Sequence, residues 1–273
     1  MIHFSKITLL MFLLFLSTSC SKLNIAYDYG SYKLKNSISE SYNFKNPESD
    51  KKVRDIWAKN TAENKIVIYK NLNLLITDIE KATLNNELTA GSVESLYADF
   101  KNKRKNIVNL FTTAIDVTMN EISESEIKNF KNYNLKKINE HTYAESDLKS
   151  RFLDRAESIM EYFFDDFTKE QIQISNQFFE DNKIFLMGQK DRRLKFGDTF
   201  VSLFPEREKM KSYMISYYSA DDSIRSPEYK KEIQLLEVNS KKFVLDISKS
   251  LTAQQKKEFQ KTVVRIKRQL NEI

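Results

Sequence analysis

From Val93 to Met119 apolar residues return every three or four positions, and neither glycine nor proline interrupts them. Val93, Leu96, Phe100, Ile107, Leu110 or Phe111, Ala114, Ile115 and Met119 fall on one stripe of a helix about eight turns long. A strand cannot use that spacing, because its side chains alternate with a period of two. The same rhythm recurs along most of the chain. Ile68, Leu72, Leu75, Ile79 and Ala82 mark a stripe over 51–84, extended upstream by Val53, Ile56 and Trp57. Leu148, Phe152, Ala156, Ile159 or Met160 and Phe163 mark another over 145–165. Helices are also predicted over 123–139, 168–190, 227–247 and 252–270, the last with Phe259, Val263, Ile266 and Leu270 on one face. The expectation is an all-α fold, a multi-helix bundle or array of about seven helices.

The scarcity of chain breakers agrees with this. The chain has 4 Gly and 3 Pro, too few for the turns of a sheet-rich fold. Its 19 Phe and 13 Tyr supply a core and argue against wholesale disorder. Six aromatics gather late in the chain: Phe196, Phe200, Phe204, Tyr213, Tyr217 and Tyr218. They are a possible interaction surface if exposed and core if not. Gly188 and Gly197 are expected to frame a change of direction there, and Pro205 to sit at a helix start.

Three helices open with one device. Ser123 with Glu126, Thr168 with Gln171 and Thr252 with Gln255 each place a hydroxyl three residues before an acid or amide. An apolar residue precedes each: Ile122, Phe167 and Leu251. This is the capping box, with a hydrophobic staple beside it. Thr89 has only Ser92 at the matching position, so a simple cap is expected there.

The first twenty residues read differently. Lys6 is a short basic stretch, Ile7 to Leu16 is apolar except for Thr8, and Ser17, Thr18 and Ser19 are small before Cys20. The apolar run makes about 15 Å of helix, half of what a bilayer core requires. It fits a cleaved secretion signal, residues 1–19, with the cut between Ser19 and Cys20. Cys20 is the only cysteine in the chain. An exported chain cannot pair it internally, and acylation would remove an oxidisable thiol. The segment resembles a bacterial lipoprotein signal, with one departure: the usual Leu three residues before the Cys is Ser17, and Leu16 lies one place earlier. The resemblance implies an acylated Cys20 holding the chain to membrane lipid. Ser21, in place of the Asp that retains many lipoproteins in the inner membrane, implies the periplasmic face of the outer membrane. Residues 20–50, with Tyr27, Tyr29, Tyr32 and Tyr42 among polar residues, read as anchor and tether, irregular or short-helical, ended by Pro47. Residues 51–273 read as the helical domain.

The layout resembles an uncharacterised family of outer-membrane lipoproteins, the DUF6279-like group. Its members have a lipobox, a Tyr-rich stretch, a helix with a Trp and a closing Thr-x-x-Gln helix. The corresponding residues are Tyr27 to Tyr42, Trp57, and Thr252 to Gln255. Ala58 and Lys59 stand where the family tends to have His-Arg, so no role for that histidine carries over. The segments around Thr168 and Thr252 also resemble the Leu/Phe-Thr-x-x-Gln segments of periplasmic helical chaperones of the Spy and CpxP kind. These likenesses imply fold and location and no mechanism.

Familiar chemistry has few residues to use. The chain has two histidines. His3 lies in the signal, so His141 stands alone in the mature chain. An intrachain Cys/His zinc site, a Cys-His pair and a Cys-x-x-Cys motif are therefore excluded. No Gly-x-Ser-x-Gly elbow, P-loop or dinucleotide fingerprint occurs. No cofactor or metal is expected. Adjacent acids such as Asp165 and Asp166, or Asp221 and Asp222, diverge on a helix, whereas Glu157 and Glu161 share a face. The formal charge of +6 is a mild excess, with bases interleaved among acids, as in Lys101, Lys103, Arg104 and Lys105 on a solvated face. It mildly favours anionic lipid or wall polymer and does not suggest nucleic acid. The favoured expectation is a non-catalytic envelope lipoprotein that binds protein partners, peptides or unfolded chains. The alternative is a carboxylate-dependent envelope enzyme acting on cell-wall polymer or lipid.

Overall fold

The computed structural model describes residues 20–84, 88–164 and 166–271. The signal segment 1–19, with Ser19, lies outside the described residues, as does Asp165. Among the described residues there are twelve α-helices and no strand. They are α1 (Cys20–Tyr42), α2 (Pro47–Leu84), α3 (Ala90–Leu110), α4 (Thr112–Glu121), α5 (Glu124–Asn139) and α6 (Glu145–Phe164). Then come α7 (Lys169–Asp181), α8 (Lys183–Met187), α9 (Gln189–Ser202), α10 (Arg207–Ser219), α11 (Pro227–Ser250) and α12 (Ala253–Asn271). The all-α expectation holds, with more helices than the seven or so expected.

The additional helices have local causes. The stretch read as a tether is helix α1. Tyr27, Leu34 and Tyr42 are buried, whereas Tyr29 and Tyr32 are exposed. Its inward stripe mixes Tyr with Ser31 and Ser39, so hydropathy alone hides the period. Asn43 ends it at φ 50°, the left-handed conformation that Asn tolerates better than most residues. The long stripe over 89–119 breaks between α3 and α4. At Phe111 the chain makes a tight turn, with its N–H on the Val108 carbonyl at 3.0 Å. The Leu110 carbonyl, freed by the break, accepts from Asn64 at 3.2 Å. The predicted 168–190 helix is interrupted at Asn182, whose amide caps back onto the Phe178 carbonyl at 2.7 Å. Gly188 follows α8, but Gly197 lies inside α9 and frames no turn. Pro205 precedes α10 in a turn. At Thr89 the cap is closer to a full box than expected: the Ser92 N–H donates to the Thr89 hydroxyl, and the Thr89 N–H donates to the Ser92 hydroxyl.

The chain divides into two compact units. The first takes residues up to Ile68, Lys103–His141 and Lys190–Ile224. Here α1 packs along α5, and α4 along α10. Its centre holds Trp57, Phe111, Ile115, Met119, Ile122, Phe130, Phe200 and Met210. Trp57 stacks on Phe111 at 5.7 Å, and its indole N–H donates to the Thr118 hydroxyl at 2.8 Å. A buried indole keeps its hydrogen bond this way. The second unit takes Tyr69–Asn102, Thr142–Gln189 and Arg225–Ile273. Helix α7 packs on α11 and α6 on α12. Met160, Phe164 and Ile247 centre a cluster with Phe163, Phe167, Ile174, Phe243, Leu251 and Phe259.

Candidate functional site

In the second unit, two helix starts face each other. At the first, the Thr168 hydroxyl accepts from the Gln171 N–H at 3.3 Å, and the Gln171 side-chain oxygen accepts from the Thr168 N–H at 2.9 Å. Thr252 and Gln255 repeat the pattern, at 3.1 Å for both bonds. The two glutamines then bond to each other. Gln171 Nε2 donates to Gln255 Oε1 at 3.0 Å, and Gln255 Nε2 to Gln171 Oε1 at 3.1 Å. Each remaining N–H reaches the backbone across the contact: Gln255 donates to the Asp166 carbonyl at 2.6 Å and Gln171 to the Ser250 carbonyl at 3.5 Å. Both glutamines are buried, so their saturation avoids the cost of an orphaned amide. Gln171 and Gln255 lie 84 residues apart, and Asp166 and Ser250 share that offset. The clasp therefore has a local two-fold relation. Phe167 and Leu251, the residues before each Thr, both enter the apolar cluster beside it. The arrangement holds two helix corners together and leaves no polar group for chemistry.

The third box lies in the first unit and does a different job. Ser123 and Glu126 cap α5 reciprocally. The other Glu126 oxygen accepts from the Lys45 N–H at 3.1 Å, fixing the link between α1 and α2. Burial would raise the Glu126 carboxyl, but bonds from the Ser123 side chain and from the Lys45 and Ser123 N–H groups outweigh it and hold it below the usual range. Two neighbours of this box carry no mark in the sequence. Arg207 donates to the Met119 carbonyl at 2.9 Å and the Ile122 carbonyl at 2.6 Å. It thus ties off the C-terminal end of α4, where a cation suits the helix dipole. Gly197 lies so close to Asn134 on α5 that a Cβ would collide with the Asn134 amide.

The late aromatic segment is core. Phe196, Phe200 and Tyr218 are buried, and Phe204, Tyr213 and Tyr217 are half-buried. A ladder of rings runs from Tyr42 to Phe130 (5.2 Å), Phe200 (5.0 Å), Phe196 (5.8 Å) and Tyr217 (4.0 Å). Phe204 lies under the Arg207 guanidinium at 3.8 Å. None of the six is exposed, and five of them contact one another, so they present no exposed aromatic face. Large exposed apolar side chains occur elsewhere, including Ile184, Leu235 and Val238 of the second unit, with relative exposures of 80%, 56% and 61%.

The other candidates do not converge. Cys20 is the first residue of α1. His141 follows α5, with its N–H on the Ile138 carbonyl at 3.3 Å. Glu157 and Glu161 are both exposed on α6. Within the basic cluster, Lys101 pairs with Glu237 at 3.4 Å and Arg104 donates to the Tyr218 carbonyl at 2.8 Å, so both have structural partners. No helix among the described residues is long and apolar enough to cross a membrane. Compared with known proteins, the chain matches no family model, no curated protein and no solved structure.

Proposed function

We propose that this chain is a non-catalytic envelope lipoprotein. Residues 1–19 direct export, Cys20 becomes the acylated first residue, and the helical body faces the periplasm from the outer membrane and binds protein or peptide partners. One observation carries this reading: the sole cysteine directly follows a short basic residue, an apolar run and three small residues. One acyl chain anchors only marginally, at about 0.8 kcal/mol per buried methylene, so a stable anchor takes more than one. With the aromatic segment in the core, the partner-binding part of the reading rests on the exposed Ile184, Leu235 and Val238.

Two experiments test the parts separately. Fractionation of cells should place the wild-type chain with outer-membrane lipid and the Cys20→Ser variant in the soluble periplasm. A variant that stays with lipid would refute the anchor. Photocrosslinkers at Ile184, Leu235 and Val238 should capture a defined envelope protein in intact cells. Capture no different from a crosslinker at exposed Lys51 would argue against a binding role for these residues.

A further inference from the structure

The whole chain carries a formal excess of +6, and α12 concentrates most of such an excess in one helix. It has six Lys and Arg (Lys256, Lys257, Lys261, Arg265, Lys267 and Arg268) against a single acid, Glu258. The helices that come next, among them α9 with Lys190, Arg192, Arg193 and Lys195 against Asp191 and Asp198, hold far smaller excesses. Helix α12 is also the most two-sided. Val263, Ile266 and Leu270 are buried, as are Gln255 and Thr262. Lys256, Lys257, Lys261, Val264, Arg265 and Arg268 are exposed. Lys257, Lys261, Val264 with Arg265, and Arg268 follow one another at helical spacing along a line about 17 Å long.

Internal pairing takes up part of this basic helix, and Arg268 too has a contact within the fold. Lys261 meets Glu258 of the same helix at 2.6 Å, and Lys267 turns aside to Glu80. Arg265 donates to the Tyr162 hydroxyl at 3.2 Å, a neutral partner that leaves its charge in place. Lys256 and Lys257 form no ion pair among the described residues. Lys256, Lys257 and Arg265 meet no acid among the described residues, although Arg265 also lies over the Tyr162 ring at 5.4 Å. Lys257, Lys261 and Arg265 repel at successive i, i+4 steps. Lys256 and Lys257 also lie near the N-terminal end of the helix, where the dipole disfavours cations. Exposed cations on one helix that meet no acid within the fold point to a partner of opposite charge.

We infer that this face of α12 docks on an anionic lipid bilayer, an inference that rests on the lipoprotein reading. For a chain anchored by its first residue, the bilayer is the one polyanion always within reach. The face suits it in chemistry. Val264, 57% exposed, sits among Lys and Arg side chains whose aliphatic stems can lie along a headgroup layer while their charges contact phosphate. Because the apolar side of α12 is committed to the core, the helix does not insert. Binding is therefore electrostatic and falls with salt.

The test uses the mature chain carrying Cys20→Ser, sedimented with vesicles of phosphatidylglycerol and phosphatidylethanolamine or of phosphatidylcholine alone. The chain should bind the anionic vesicles and be released at about 0.5 M salt. The variant Lys257→Glu/Arg265→Glu should bind roughly tenfold more weakly or worse. Lys51→Glu/Lys70→Glu, with the same change in net charge at exposed positions, should bind as the parent does. Circular dichroism of each variant confirms the fold. Equal binding to both vesicle types, equal losses in the two variants, or no loss in the α12 variant would each overturn the inference. Binding to polyglutamate but not to vesicles would assign the face to an acidic protein and overturn it as well. The test chain has no thiol to acylate, so failure here condemns the α12 surface alone. The anchor stands or falls on Cys20 itself.

Discussion

Single residues set several of the tightest constraints. At Gly197 the approach of α5 leaves no room for a Cβ beside the Asn134 amide. Gly197→Ala should destabilise the protein by roughly 1–3 kcal/mol in chemical denaturation, because a buried Asn134 must move or the helices must part. Adding Asn134→Ala should recover part of the loss. If Gly197→Ala alone raises stability, as an ordinary helical Gly→Ala change does, the close contact does not exist. Glu126 offers a test by pH. Its native pKa is held below the usual range, so its contribution is present above the ordinary glutamate pKa and is lost as pH falls through the native value. Glu126→Gln should therefore flatten the fall of stability on the acid side of the profile. An unchanged acid limb would show that the carboxylate is not held as described. Ala220 ends α10 at φ 62°, a left-handed conformation that strains an L side chain. Ala220→Gly should raise the melting temperature slightly, by about 0.5–1 kcal/mol in stability.

At the scale of elements, the paired helix starts are the most informative feature. A capping box accepts Glu as readily as Gln, and the box at Ser123 uses Glu126. The two boxes in the second unit both use Gln because each amide must donate as well as accept. Gln171→Glu should accordingly cost about 1–3 kcal/mol, with a deficit that grows as pH rises above about 4.3, where a carboxylate forms that cannot donate. Gln171→Ala and Gln255→Ala should be strongly non-additive in a double-mutant cycle. Additive losses would mean the two caps act independently. This level also shows what was legible in advance. The boxes, Pro227 at the start of α11 and the long stripes could be read from local pattern. The pairing of Gln171 with Gln255 could not, because nothing local marks two positions 84 residues apart. Helix α1 is longer than the irregular or short-helical segment expected, because its inward stripe mixes Tyr and Leu34 with Ser. The breaks at Phe111 and Asn182 carry no local mark, because the groups that donate to the Leu110 carbonyl and the Asn182 side-chain oxygen, Asn64 and Asn239, come from other helices.

For the whole molecule, the all-α class followed from periodicity, whereas the candidate surface did not. Aromatic residues clustered in sequence look the same whether they meet solvent or one another, and burial decides between the two. The ring ladder from Tyr42 to Tyr217 places them in the core of the first unit, and Phe200→Ala should cost about 3–5 kcal/mol there. The buried side of α12, with Val263, Ile266 and Leu270, was legible as a stripe. Which of the cations around it meet an acid was not, because a partner such as Glu80 lies 187 residues from Lys267. The central claim remains the address. Helix α1 begins at Cys20, so acylation there would attach the body through a helix rather than a long irregular tether. The most direct test is the intact mass of the protein purified from membranes, with fragmentation of its first residues. The account predicts a chain that begins at Cys20 and carries acyl groups on that residue. A chain that begins elsewhere, or an unmodified Cys20, would contradict it.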